Sequence, residues 1–177
     1  EDYLRDVDAL TEDTHSRYPE CPLFLFGHSM GGTIAALWSI TRCPPLQGLI
    51  FSSPAARLWQ DSNLTLNLMM QLLNRIVPKM ATIPLRAYEI SRDPTVVRDY
   101  DRDPLVYRGG VRVRMGYALA RAARRLRERA DEIKVPLLIL QGTADRLVHP
   151  EGAFLLYQKA LSQDKALRLY EGLYHET

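Results

Sequence analysis

Apolar positions along this chain alternate between two periods. Tyr3, Leu4, Val7, Leu10 and Thr14 fall at helical spacing, with acids and Arg5 between them, and predict an amphipathic helix over Glu1 to Arg17. Tyr18-Pro19-Glu20-Cys21-Pro22 ends it, because proline cannot continue a helix. Leu23 to Phe26 is apolar throughout, as a strand covered on both faces should be. A helical run follows Ser29 to about Arg42 and stops at Pro44-Pro45; Leu46 to Ser52 then reads as a second buried strand. Helix, strand, helix, strand predicts a parallel sheet with right-handed crossovers.

Residues 54–134 break this alternation. They hold no convincing strand. Leu64 to Met80 is dense in Leu, Met, Ile and Val, and Gly110 to Ile133 carries Met115, Leu119, Ala122, Leu126, Ala130 and Ile133 at helical spacing with arginines between. The segments around Ile83-Pro84, Asp93-Pro94 and Asp103-Pro104 are short and punctuated by proline. The alternation resumes with a strand over Val135 to Gln141, a helix over Pro150 to Leu161 and a last strand over Ala166 to Tyr170. The expected organisation is one α/β domain: core residues 1–53, a helical insertion at 54–134 that sits over the sheet, and core residues 135–177.

At the first strand-to-helix junction stands Gly27-His28-Ser29-Met30-Gly31. A turn this sharp places its middle residue at the tip in a strained conformation, and Gly27 and Gly31 are expected where a Cβ would collide with the neighbouring strand and helix. Ser29 would stand above the carboxyl end of the sheet, with the Met30 amide aimed where an oxyanion forms. A serine hydroxyl needs a base, and the base a carboxylate that fixes its tautomer. Sites in open α/β sheets form at the carboxyl ends of strands. Asp145 follows the strand VPLLILQ and His175 follows the last strand, so the order is Ser, Asp, His. Taken singly, Asp145 suits a turn or cap and His175 a surface position near a frayed end; the conjunction carries the weight. His15 lies on a polar helix face. His28, beside Ser29, is expected to pack or make a local hydrogen bond, and His149 belongs to a helix start. Glu151 and Glu176 are the alternative acids.

Composition adds exclusions. The net charge of +2 over 177 residues gives no reason to expect a nucleic-acid partner. Cys21 and Cys43 form neither a disulfide framework nor a metal spacing, which mildly favours a reducing compartment. No apolar run is long enough to span a membrane. The ten apolar residues between Leu64 and Met80 cover more than one helical stripe, which suits a wall for an acyl chain or a surface that dips into lipid as well as simple burial within the insertion. The arginines from Arg121 to Arg129 read as a solvated face, with attraction to anionic headgroups as the alternative.

GHSMGG, SRDPTVVRDYDRDPLVYRGG, LLILQGTADRLV, EGAFLLY and LRLYEGLYHE together resemble the monoacylglycerol lipase, lysophospholipase-like family of serine α/β-hydrolases over essentially the whole chain. The resemblance implies a partial α/β-hydrolase fold, Ser29 as nucleophile, Asp145 as acid, His175 as base, and residues 54–134 as a cap shaping an acyl-chain tunnel. It places Tyr100 near the alcohol-binding end of the pocket, where ordinary cap packing is the competing role. A lipid ester is the implied substrate, with no metal and no organic cofactor. The expected setting is cytoplasmic, with peripheral membrane contact through the cap as an option. Lysophospholipase, carboxylesterase, thioesterase or peptidase activity, and a non-catalytic interaction protein on the same scaffold, are the competing readings. Family members begin with further strands and an HG-type motif supplying a second oxyanion amide, and end with a helix after the histidine. Neither has a counterpart between Glu1 and Thr177. The chain is therefore expected to be a piece of an active enzyme, weak or inactive alone, with the Ser29 strand at an exposed apolar edge.

Overall fold

The computed structural model describes residues 2–59, 64–82 and 84–177. Glu1, expected to open the first helix, and Ile83 lie outside the described residues. The chain starts with α1 (Asp2–Arg17), β1 (Phe24–His28), α2 (Met30–Arg42) and β2 (Gly48–Ser52). Four helices follow: α3 (Leu64–Ile76), α4 (Ala87–Ile90), α5 (Pro94–Arg102) and α6 (Val113–Glu128). A 3-10 turn over Ala130–Glu132 leads into β3 (Leu137–Gly142), α7 (Glu151–Lys159) and β4 (Lys165–Tyr170). The strands form one parallel sheet in the order β1-β2-β3-β4. Chain order therefore equals spatial order, and the carboxyl ends of β1, β2, β3 and β4 line up along one rim.

The core forms where helices cover this sheet. Leu49 and Phe51 of β2 and Leu137 and Ile139 of β3 are buried with Ala36 and Trp38 of α2, Leu126 of α6 and Leu156 of α7. Ala130 and Ile133 join the same cluster, so the end of the 54–134 stretch is part of the principal core. Helix α1 is pinned to α2 through one carboxylate. Asp8 Oδ1 accepts from Trp38 Nε1 at 2.6 Å, and its Oδ2 accepts from Arg42 Nε at 3.0 Å.

Three expectations change. Strand β1 is not covered on both faces among the described residues. Phe24 and Phe26 are 56% and 60% exposed, while Leu25 is half-buried and Gly27 buried. β1 is the outermost strand, so its apolar alternation reads correctly but only one face has a partner here. Asp93-Pro94 opens a helix instead of breaking one: Pro94 takes the first helical position, where a missing N–H costs nothing, and Asp93 Oδ1 accepts from Thr95 N at 2.7 Å. Helix α3 ends at Ile76, short of Met80, because Pro78 cannot extend it. Its residues Leu68, Met69, Leu72 and Ile76 are exposed while the helix packs on α6, so the apolar excess is not buried within this stretch.

Of the two elbow glycines, Gly27 meets expectation and Gly31 does not. A Cβ on Gly27 would lie 2.6 Å from Gly31 O and 2.7 Å from Gly32 N, so only glycine lets the strand pass the start of α2. A Cβ on Gly31 would meet nothing within 4 Å; the second crowded position is Gly32, against Pro54. Gly27→Ala is expected to destabilise the fold by about 2 kcal/mol or more, since the clash is with backbone. Gly31→Ala should be neutral or stabilising by up to about 1 kcal/mol, because alanine favours the helix. Urea midpoints of the two variants test the contrast, and equal losses would refute it.

Candidate active site

Ser29 sits between β1 and α2 at φ 53° and ψ −120°, the strained geometry expected of an elbow tip. Its amide donates to Ser52 O at 2.9 Å, and its carbonyl accepts from Ala55 N at 3.0 Å and Gly32 N at 3.1 Å. The backbone is thus locked from both sides. The side chain is half-buried, and Met30 is the first residue of α2, so its amide is among those free of an intrahelical partner.

Asp145 and His175 are brought together from loops after β3 and β4. They are 2% and 4% exposed, and His175 Nδ1 is 2.8 Å from Asp145 Oδ2. Because Nδ1 then carries the proton donated to the carboxylate, Nε2 is the ring nitrogen left to act as a base. The remaining lone pairs of Asp145 are also occupied. Its Oδ1 accepts from Leu147 N at 2.8 Å and Val148 N at 3.0 Å, and its Oδ2 accepts from Gln141 Nε2 at 3.1 Å. Burial alone pushes the Asp145 carboxyl up; the hydrogen bond and charge of His175 and the two amides outweigh it, and the net direction is down. The acid therefore stays ionised at neutral pH.

The loops meet through residues that the sequence did not single out. At the end of β2, Ser52 receives the Ser29 amide, and its hydroxyl lies 3.1 Å from His28 Nδ1. Ser53, at φ 45°, donates its hydroxyl to His175 O at 2.7 Å, and its amide donates to Leu140 O at 2.9 Å. Two consecutive serines thus tie the elbow, β3 and the histidine loop together. Glu176 N donates to Ile90 O at 2.9 Å, which anchors the same loop to α4. Gln141 was a legible signal, a lone amide in an apolar strand; Ser52-Ser53 read only as a strand terminus.

His28 makes the local contact expected of it and a further one. Its ring lies 4.8 Å from that of His175, and Nε2 is 3.5 Å from Glu176 Oε1. Burial, then the charge of His175, hold His28 below its usual range. Among the described residues, no hydrogen bond joins the Ser29 hydroxyl to the His175 imidazole. Tyr100 is half-buried on α5 and lines a cavity of about 320 Å³ with Tyr88, Val97 and Tyr107. His15 is exposed, and His149 stacks on Trp59 at 4.2 Å with its Nδ1 3.3 Å from Glu151 N, at the start of α7. No group of three or more metal-ligating side chains occurs among the described residues. No helix among them is long and apolar enough to cross a membrane.

A parallel sheet whose successive strand ends carry an elbow serine, a buried carboxylate and a buried imidazole defines an α/β-hydrolase, here in partial form. The family model for serine aminopeptidase, S33, matches residues 1–177, and the chain belongs to that family of serine hydrolases, within its monoglyceride lipase-like members. It is 39% identical over 175 residues to the monoglyceride lipase of Homo sapiens, covering 98% of this chain and 56% of that protein. It is 32% identical over 178 residues to a phospholipase of Bacillus subtilis, covering 99% of this chain and 68% of that protein. The structure superposes on a monoacylglycerol lipase of Paleococcus ferrophilus with a TM-score of 0.85 at 30% identity, covering 98% of this chain and 65% of that one. The chain thus spans just over half the length of the human relative.

Two outcomes test the site. Ser53→Ala leaves the buried His175 carbonyl without its donor and is expected to cost about 1–2 kcal/mol by urea unfolding; an unchanged midpoint would remove Ser53 from the account. His28 takes up a proton more readily unfolded than folded, so its contribution to stability is full above about pH 6.5 and lost as pH falls through its lowered folded value. Stability measured against pH should therefore decline below about 6.5, and His28→Gln should flatten that decline. An unaltered pH profile in His28→Gln would contradict the assignment.

Proposed function

We propose that Ser29, His175 and Asp145 are the nucleophile, base and acid of a serine ester hydrolase acting on monoacylglycerols. The observation that carries the reading is the buried 2.8 Å His175–Asp145 pair on the same sheet rim as the positive-φ Ser29. Ser29 Oγ attacks the ester carbonyl carbon while His175 Nε2 takes its proton, and Asp145 stabilises the imidazolium that results. The tetrahedral oxyanion takes the Met30 amide; a donor of this kind is typically worth about 3 kcal/mol. Collapse expels glycerol, whose oxygen takes the proton from His175, and leaves an acyl group on Ser29. Water, deprotonated by His175, then attacks the acyl-enzyme and releases the fatty acid.

The lipid-ester reading draws support from the exposed apolar face of α3, which offers a greasy surface within the cap. In this reading residues 54–134 form that cap and Tyr100 faces the alcohol portion of the substrate. The similarity to a phospholipase favours lysophospholipid ester cleavage as the second reading.

In the full-length enzyme, a fluorophosphonate probe should label Ser29, with labelling abolished in Ser29→Ala. Asp145→Asn should lower kcat by about three to four orders of magnitude, since the imidazole loses both its tautomer and its counter-charge. Rates on a monoacylglycerol, a lysophospholipid and a short soluble ester sort the substrates. Equal or better turnover of the short ester would sink the lipase reading, and equal labelling of Ser29→Ala would remove Ser29 as nucleophile.

A further inference from the structure

A second concave site lies on the far side of the histidine loop. It is a cleft of about 600 Å³ lined by four arginines, Arg92, Arg98, Arg102 and Arg146, with Tyr88 and Tyr174. One acid, Asp101, also lines it, but its carboxylate faces Arg108 Nη1 at 3.4 Å. Among the described residues, the guanidinium groups of Arg92, Arg102 and Arg146 have no carboxylate partner; Arg98 has one, its sequence neighbour Asp99, at 3.6 Å. Arg98 and Arg102 are four residues apart on α5 and so share a helix face, an arrangement of like charges that costs helix stability when nothing neutralises it.

One of the cations is held in place: Arg146 lies over the Tyr174 ring, 4.1 Å from its centroid, a cation–π contact that orients the guanidinium. Arg92 Nη1 reaches the histidine loop, 2.8 Å from where a Cβ on Gly172, at φ 67°, would stand. Arg92, Arg98 and Arg102 come from α5 and the residues before it, and Arg146 from the loop after β3. The cleft therefore gathers positive charge from both sides of a seam, with tyrosine rings on its walls.

We propose that this cleft binds the phosphate group of an organic phosphate ester. Planar guanidinium forks bind tetrahedral phosphate with two parallel hydrogen bonds each, and several forks converging on one volume favour a many-oxygen anion over a carboxylate. The tyrosines and Val97 supply the apolar contact for the organic part. Arg146 follows Asp145 and Tyr174 precedes His175, yet the serine, acid and base do not line the cleft. The cleft shares Tyr88 and Val97 with the cavity beside Tyr100, so the proposal is tested by binding and not by turnover.

The phosphate could arrive as a lipid headgroup or as a soluble ester. The test measures binding to the full chain of inorganic phosphate, of glycerol 3-phosphate, and of phosphatidylcholine vesicles with and without phosphatidylglycerol. The arginine variants are Arg92→Gln with Arg102→Gln, and the charge-matched control is Arg121→Gln with Arg125→Gln on α6. Saturable binding of the soluble phosphates, weakened about tenfold in the cleft variant and unchanged in the control, supports the proposal and assigns a soluble ligand. The same variant-dependent loss seen only with phosphatidylglycerol vesicles supports it and assigns a headgroup. Binding that neither variant changes, or that the control weakens as much as the cleft variant, overturns it, as does absence of binding in every arm.

Discussion

Four parallel strands deliver their ends to one rim, but a rim does not by itself bring side chains on separate loops to hydrogen-bond distance. That closure depends on Ser52-Ser53 at the end of β2. Ser52 holds the elbow through the Ser29 amide and reaches His28, while Ser53 holds the carbonyl of His175 and, through its amide, the neighbouring strand β3. β2 lies between β1 and β3, so among the described strands it is the one that borders both the elbow and the strand leading to Asp145. The two serines are buried, where an unmade hydrogen bond is expensive, and the geometry of the loops is fixed accordingly.

The electrostatics of the site follow from this closure. Asp145 is almost fully removed from water yet remains ionised, because four donors replace the hydration it loses: one imidazole, one side-chain amide and two backbone amides. His28 has the opposite problem. Burial, and then the charge of the His175 ring 4.8 Å away, disfavour its protonated form. Glu176 opposes that trend only through a 3.5 Å approach on the exposed side.

Period and order made much of this legible in the chain itself. Apolar runs ending at Phe26, Ser52, Gln141 and Tyr170 marked the four strands to within two residues, and Ser29, Asp145 and His175 were read from the segments that follow strand ends, one, three and five residues beyond them. What was not legible depends on neighbours. The edge position of β1 followed from the family resemblance, whereas the exposure of one face at Phe24 and Phe26 is not encoded in its apolar run. The freedom at Gly31 and the crowding at Gly32 depend on where Pro54 returns. The α5 start was obscured because proline marks breaks and helix openings alike, and the cap hydrogen bond from Asp93 decides which. The roles of Ser52 and Ser53 come from contacts over a hundred residues away in sequence, with the histidine loop.

The equality of chain order and spatial order has a kinetic meaning. β3 cannot pair with β2 until the 84 residues between Ser52 and Leu137 are arranged, and among the described residues β4 docks on β3 alone. Long loops closed before any contact rewards them make such parallel pairing slow. The imidazole follows β4, so it meets its carboxylate only once β4 has paired with β3. The His175–Asp145 contact is thus a marker that β4 has docked: the elbow can form from β1 and α2 alone, but the imidazole joins the rim only after that pairing.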